Sequence, residues 1–377
     1  MSANPIIWKP AAERVQGSAM HRFMQETGHD DYDALYQWSV SNSPAFWLSL
    51  CEFCDVRFDT DANTILARPD NIMDAGWFAG SQLNYAAHLL RHDGEQAAII
   101  FVGEDGTRRE LRRGELRDHV AAVAAGLRSA GVSKGDRVGG FLPNCPEAVI
   151  AMLATTSLGA IWSSCSPDFG LNGVVDRFGQ IEPKVLFAVN GYYYNGKTCD
   201  TRPTIEGVVS AIDSIKRTVV IPFASDLGTD VSLTNAIDWH DFAIAGEALS
   251  FEAVEFNHPL YIMYSSGTTG APKCIVHGHG GTLLQHLKEH VLHTDVNAND
   301  KLFYFTTCGW MMWNWLVSGL ASGATLVLFD GSPFFNDGRV LWQMAEQEDV
   351  SVFGTSAKYI SALEKAGVRP KEEFSLP

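Results

Sequence analysis

From Ala97 onward, short apolar runs alternate with segments of helical length. "AAIIFVG" (97–103), "DRVGGFLP" (136–143), "AIWSS" (160–164), "KVLFAVN" (184–190), "RTVVIP" (217–222), "LYIMYSS" (260–266), "KLFYF" (301–305), "GATLVLF" (323–329) and "SVFGT" (351–355) read as strands. Residues 114–130, 146–159, 171–181, 203–214, 281–292, 311–320, 338–348 and 356–367 read as the helices between them. Strands apolar along their whole length are buried on both faces, so the alternation predicts parallel sheets covered by helices, an α/β fold. One departure is expected: "EDGTRREL" returns the first strand as a hairpin turning at Glu104–Gly106. Asn144, ahead of Pro146, is expected to cap its helix.

The first 95 residues differ, and read as a helical, aromatic segment. Tyr32, Leu35 and Tyr36, then Phe46, Trp47 and Leu50, fall at helical spacing. Ser43 before Pro44 reads as an N-cap with proline at the first helical position. Ser81 is the expected cap of "SQLNYAAHLLRH". The last residues, "GVRPKEEFSLP", follow a helix where another strand is due, so the alternation reads as cut short.

The net charge of −16 argues against a nucleic-acid partner and against docking on anionic membrane. Apolar runs such as "AVIAML" are far too short to span a bilayer, and "MSANPIIWKPAAER" lacks a signal-peptide pattern. Seven scattered cysteines suit a reducing compartment, so a cytoplasmic location is expected. Cys51 and Cys54 form a C-x-x-C inside an apolar helical run with no second pair, which favours buried thiols over a redox or metal site.

Against that acidic background, "YSSGTTGAPKCIVHGHGG" (264–281) is built for an anion. It follows a predicted strand directly, and a helix is expected after it. Gly267 and Gly270 let the backbone approach a phosphate, Ser265, Ser266, Thr268 and Thr269 add hydroxyl donors, and Lys273 adds a positive charge. The spacing fits neither G-x-x-x-x-G-K-[ST] nor G-x-G-x-x-G.

S-S-G-T-T-G-x-P-K resembles the signature loop of the adenylate-forming superfamily, with Cys274 standing where that signature has glycine. The similarity extends through "WFAGSQLNYAAHLL", "LPNCPEAVIAMLATTSLGAIWSSCSPDFG" and "LVSGLASGATLVLFDG", which look like acetyl-CoA synthetase-type enzymes. "TTCGWMMWNW", "MDAGWFAGSQLNYA" and "SPFFNDGRVLWQMAEQEDVSVFGTSAKY" are most similar to the acetoacetyl-CoA synthetase family. The resemblance implies an incomplete αβαβα adenylation domain over 96–377, preceded by the helical segment 1–95. It lacks the carboxy-terminal lid and the motifs for adenine, ribose and thiol.

The implied reaction joins acetoacetate to coenzyme A through an acyl-adenylate made from ATP. Ser265, Ser266, Gly267, Thr268, Thr269, Gly270 and Lys273 would hold the β- and γ-phosphates, with Lys273 and Thr268 in catalytic roles. Mg2+ would neutralise the leaving pyrophosphate, with no side-chain ligand assigned to it in this chain. Trp310, Met311, Met312 and Trp313 would line the acyl pocket, the alternative being packing at a helix start. Lys197 would meet a coenzyme A phosphate, or simply be solvated. An acetate or propionate enzyme, and a non-catalytic nucleotide-binding fragment, stay open beside this reading, and a chain without lid and adenine motifs is expected to have little ligase activity. "HLKEH" (286–290) matches the H-x-x-E-H zinc pattern. Partly exposed helix histidines explain it without a metal.

Overall fold

A computed structural model describes residues 8–265 and 270–376. Two sheets carry the molecule. The first has seven strands, in the spatial order Ala236–Asp238, Arg217–Ile221, Val185–Val189, Arg137–Phe141, Ile161–Cys165, Pro259–Tyr264 and Cys274–Gly278. Six run parallel, and Cys274–Gly278 returns antiparallel to Pro259–Tyr264 at one edge. The second has five, in the order Val352–Gly354, Lys301–Tyr304, Thr325–Asp330, Ala97–Gly103 and Arg108–Arg112. Its last pair is the expected hairpin, and the rest are parallel. Gly106, at φ 85°, supplies the left-handed turn residue that the hairpin needs.

The alternation of side chains along each strand divides the core into layers. Val185, Phe187 and Val189 face a central core shared with Ile99, Phe101, Leu326 and Leu328 of the second sheet. Leu186 and Ala188 face the opposite way, onto Val174, Phe178 and Ile181 of the helix Leu171–Ile181 and Ile205 and Val208 of the helix Arg202–Ala211. Ile100, Phe303, Val327 and Phe329 face the helices Val340–Gln347 and Ala357–Ala366 through Leu341, Met344, Tyr359 and Leu363. Between the sheets lie the helices Arg113–Ser129 and Pro146–Ser157, the latter buried from Ala148 to Ser157. The order is therefore helix, sheet, helix, sheet, helix. No helix among the described residues is long and apolar enough to cross a membrane.

Local expectations fail where tertiary contacts claim a side chain. Asn144 does not cap the helix Pro146–Ser157; the N-cap is Cys145, which makes no side-chain cap bond. The Asn144 amide is used elsewhere, as described below. Ser81 is not a cap either: its hydroxyl donates to Phe78 O at 2.8 Å, and Asn84 caps the short helix Tyr85–Leu89. Ser43 lies inside the helix Ser43–Phe53, with its hydroxyl on Ser39 O at 3.1 Å. Residues 12–53 are largely helical, but 64–83 hold short strands, Thr64–Ala67 paired with Gly76–Ala79, and Gln82–Leu83 paired with Val254–Glu255. These strands are too short for periodicity to reveal.

Candidate functional site: a hairpin loop where two sheets meet

The strand Pro259–Tyr264 ends at the glycine- and threonine-rich segment, and the chain comes straight back as the strand Cys274–Gly278, with Tyr264 opposite Cys274. The helix expected from 281 begins at His279, after this strand, which the sequence reading did not predict. "CIV" extends the sheet because a β-branched pair finds a partner strand beside it. The loop closes on its own ends: Ser265 N–H donates to Lys273 O at 3.0 Å, and Lys273 N–H donates to Ser265 Oγ at 3.2 Å. The Lys273 backbone is thereby fixed while the residue stays exposed. Gly270 is also exposed. Ser266, Gly267, Thr268 and Thr269 lie outside the described residues.

Beside this loop, the ends of both sheets are tied together. Ser164 Oγ donates to Cys308 O at 2.7 Å, and the Cys308 thiol reaches Pro143 O at 3.1 Å. Trp313 Nε1–H donates to Asn144 Oδ1 at 3.0 Å, while Asn144 N–H approaches Asp330 Oδ1 at 3.4 Å. A Cβ at Gly309 would sit 3.7 Å from Ser166 N, ordinary contact distance, which puts this residue against the end of the strand Ile161–Cys165. Burial pushes the Asp330 carboxyl up to about 7, against the lowering effect of the Asn144 N–H.

The four expected acyl-pocket residues do not share one environment. Trp310 is 61% exposed, Met311 and Met312 are half-buried, and Trp313 is fully buried in the central core. Trp313 is therefore a packing residue that joins the helix Met311–Ser318 to the end of the first sheet. Asn314, which the sequence reading passed over, is 3% exposed. Its Nδ2 donates only to Met263 Sδ at 3.3 Å, and its Oδ1 has no partner among the described residues. A lone amide in "WMMWNWLV" was the available signal.

Lys197 lies exposed on the hairpin formed by Gly191–Tyr194 and Lys197–Asp200, with no ion-pair partner among the described residues. That hairpin is pinned by the buried Glu104 carboxylate, which accepts N–H groups from Asn195 at 2.9 Å, Gly196 at 2.8 Å and Ser332 at 2.6 Å.

The trailing histidines are more buried than expected. His279, His286 and His290 are in the core, and only His277 and His293 have substantial access to solvent. His286 Nδ1 lies 2.6 Å from Ser318 Oγ, which also meets Tyr85 OH at 2.5 Å and donates to Asn314 O at 2.9 Å. His290 Nε2 donates to Trp315 O at 2.7 Å. Among the described residues no group of three or more His, Cys, Asp or Glu could hold a metal. Cys51 and Cys54 are buried free thiols, both pushed up to about 12 by desolvation.

Burial holds His279 and His286 down to about 3, and His290 to about 4. Each stays neutral in the fold but protonates near 6.5 when unfolded. Their stabilisation is full above pH 6.5 and falls as pH drops toward the folded values, by about 2 kcal/mol per histidine at pH 5. Urea unfolding at pH 7.5 and pH 5 is expected to show this loss. His286→Gln should reduce it by roughly one third, and an unchanged pH slope would contradict the assignment.

Comparison with known proteins places the chain. The profile described as AMP-binding enzyme matches residues 87–375, and that described as acetyl-coenzyme A synthetase N-terminus matches 32–89. An acetoacetyl-coenzyme A synthetase of Rhizobium meliloti is 48% identical over 100% of this chain and 59% of its own length. A malonamoyl-CoA synthetase of Penicillium aethiopicum is 36% identical over 97% of this chain and 55% of its own. The solved acetoacetyl-CoA synthetase from Streptomyces lividans superimposes with a TM-score of 0.93 at 42% identity, covering 98% of this chain and 58% of that one. The chain thus spans less than two thirds of the length of these relatives. With the matching profile covering most of its residues, the chain belongs to the AMP-binding enzyme family.

Proposed function

We propose that the complete protein is an ATP-dependent acid–thiol ligase that makes acetoacetyl-CoA. The observation that carries this reading is similarity over the whole of this chain to acetoacetyl-CoA synthetases, with the phosphate-loop motif starting at the carboxyl end of a parallel strand. The acid's carboxylate attacks the α-phosphorus of ATP and pyrophosphate leaves. The thiol of coenzyme A then attacks the acyl carbon and AMP leaves. Both steps are displacements between bound substrates, so the protein's task is positioning and charge stabilisation.

In this reading the loop residues Ser265, Ser266, Gly267, Thr268, Thr269 and Gly270 donate to the β- and γ-phosphates. Lys273 neutralises charge as pyrophosphate departs, and Thr268 shares that catalytic role. Mg2+ would accompany ATP and neutralise charge on the leaving pyrophosphate, with no side-chain ligand assigned to it in this chain. Met311 and Met312 form the adaptable apolar part of the acyl wall. Lys197 remains a candidate contact for a coenzyme A phosphate. Seven free thiols support a cytoplasmic setting.

Asn314 supplies the polar feature that an oxo acid requires. The acyl groups named for the relatives, acetoacetyl and malonamoyl, both carry a carbonyl at carbon 3. The Asn314 amide, on the same helix as Met311 and Met312, has among the described residues only a thioether as acceptor for its N–H. A thioether is a weak acceptor, which a ligand carbonyl would replace with gain. Assay of the complete protein with acetoacetate, acetate, propionate and butyrate tests this reading. Acetoacetate is expected to give the highest kcat/KM. Asn314→Leu should lower the acetoacetate-to-butyrate ratio about tenfold or more, the value of a buried hydrogen bond to a neutral carbonyl. A ratio untouched by Asn314→Leu would remove that residue from the acyl site, and a preference for acetate would replace the substrate.

A further inference from the structure

The helix Leu171–Ile181 holds both arms of the phosphate-loop hairpin with two side chains three residues apart. On one arm, the Arg177 guanidinium lies over the ring of Tyr264, 5.7 Å from its centroid, and over Phe169 at 4.6 Å. Tyr264 immediately precedes Ser265. On the other arm, Gln180 Nε2 donates to Pro272 O at 2.8 Å and to Asp176 O at 2.6 Å, and Gln180 Oε1 lies 3.6 Å from the Cys274 thiol. Residues at i and i+3 project from neighbouring points on a helix face, so one rigid surface meets the two ends of the loop.

The helix itself cannot shift easily. Val174, Phe178 and Ile181 are buried against the first sheet, and Arg177 Nη1 donates to Gly173 O at 2.7 Å. Arg177 forms no ion pair among the described residues, so its orientation is set by the two aromatic rings rather than by a carboxylate. At the far end of the Tyr264 ring its hydroxyl lies 3.0 Å from Ser163 Oγ, a bond the packing of the ring against Arg177 does not depend on. Burial pushes that phenol well above its ordinary range, so it stays a neutral partner. Gln180 is fully used: both Nε2 hydrogens and Oε1 have partners, two of them on the loop's returning arm.

We infer that Arg177 and Gln180 are positioning residues for the phosphate loop, fixing the separation and tilt of its arms so that its donors converge on a bound polyphosphate. The inference rests on the reading of the loop as a phosphate site. Donors aimed in advance stabilise developing charge without reorganising, so a device that holds the neck acts on the ligand without touching it.

The test uses Arg177→Met and Gln180→Ala in this chain, with Tyr264→Phe as the variant that keeps the ring. Backbone amide exchange at Ser265 and Lys273 reads the neck directly, and inorganic pyrophosphate is the probe for binding. Each of the first two variants is expected to speed exchange at both amides about tenfold and weaken pyrophosphate about tenfold. Exchange within the helix Pro146–Ser157 should stay unchanged, and Tyr264→Phe should stay within about twofold of the parent in both measurements. Unchanged exchange at both amides overturns the inference, whatever happens to binding. Faster exchange with undiminished pyrophosphate affinity also overturns it, because the grip would then be structural alone. If the parent chain binds no pyrophosphate, the loop reading itself fails and takes the inference with it.

Discussion

Lys273→Met in the complete protein is expected to slow acetoacetate-dependent pyrophosphate exchange by about 100- to 1000-fold, the effect of removing one donor to developing transition-state charge. KM for the acid should change little. The backbone of Lys273 closes the loop neck with Ser265, so the substitution leaves that pair of hydrogen bonds in place. Its side chain is exposed, and methionine keeps most of the stem, so stability should move by less than about 0.5 kcal/mol. A large loss of rate without loss of stability isolates the charge. Steady-state kinetics with a urea unfolding curve on the same preparation checks both halves. An unaltered rate would remove Lys273 from the chemistry.

The second large effect concerns stability. Trp313→Ala is expected to destabilise the chain by about 3–5 kcal/mol, because it empties a fully buried site in the central core. It also strands Asn144 Oδ1, the acceptor of the Trp313 Nε1–H bond. Domains commonly have only about 5–15 kcal/mol in total, so the loss should be plain in urea unfolding. Trp313→Phe should recover most of the packing but not the bond. Trp310→Ala, at an exposed position, should cost less than about 0.5 kcal/mol. A stable Trp313→Ala with altered acid preference would restore Trp313 to the acyl wall.

That contrast shows how far the sequence could be read. The strands were legible because runs such as "KVLFAVN" and "GATLVLF" are buried on both faces and bounded by turns. That helices would cover parallel sheets followed from the alternation, while the αβαβα order of the layers came from the family resemblance. The segment 264–281 stood out because its residue types have few other uses at that density, and its role as a phosphate site remains the proposal made for it. What the sequence hid were choices made by distant partners. Asn144 has the right position for a helix cap, yet its amide bonds Trp313, 169 residues later in the chain. Trp310 and Trp313 look alike in "WMMW", and only the direction in which the helix turns separates an exposed ring from a core ring. The histidines after the loop looked like a solvated helix face, whereas Ser318, Tyr85 and Trp315 draw two of them inward. Asn314 was overlooked because no sequence pattern shows that its Oδ1 is buried without a partner among the described residues.

A protein containing this chain is proposed to activate a carboxylate by adenylation. Exchange of labelled pyrophosphate into ATP tests it most directly, because the exchange requires a reversible acyl-adenylate and no thiol. With MgATP and acetoacetate but without coenzyme A, label is expected to enter ATP, and to stop entering when acetoacetate is withheld. Exchange that is absent with acetoacetate, or turnover yielding ADP and phosphate instead of AMP and pyrophosphate, would contradict the account.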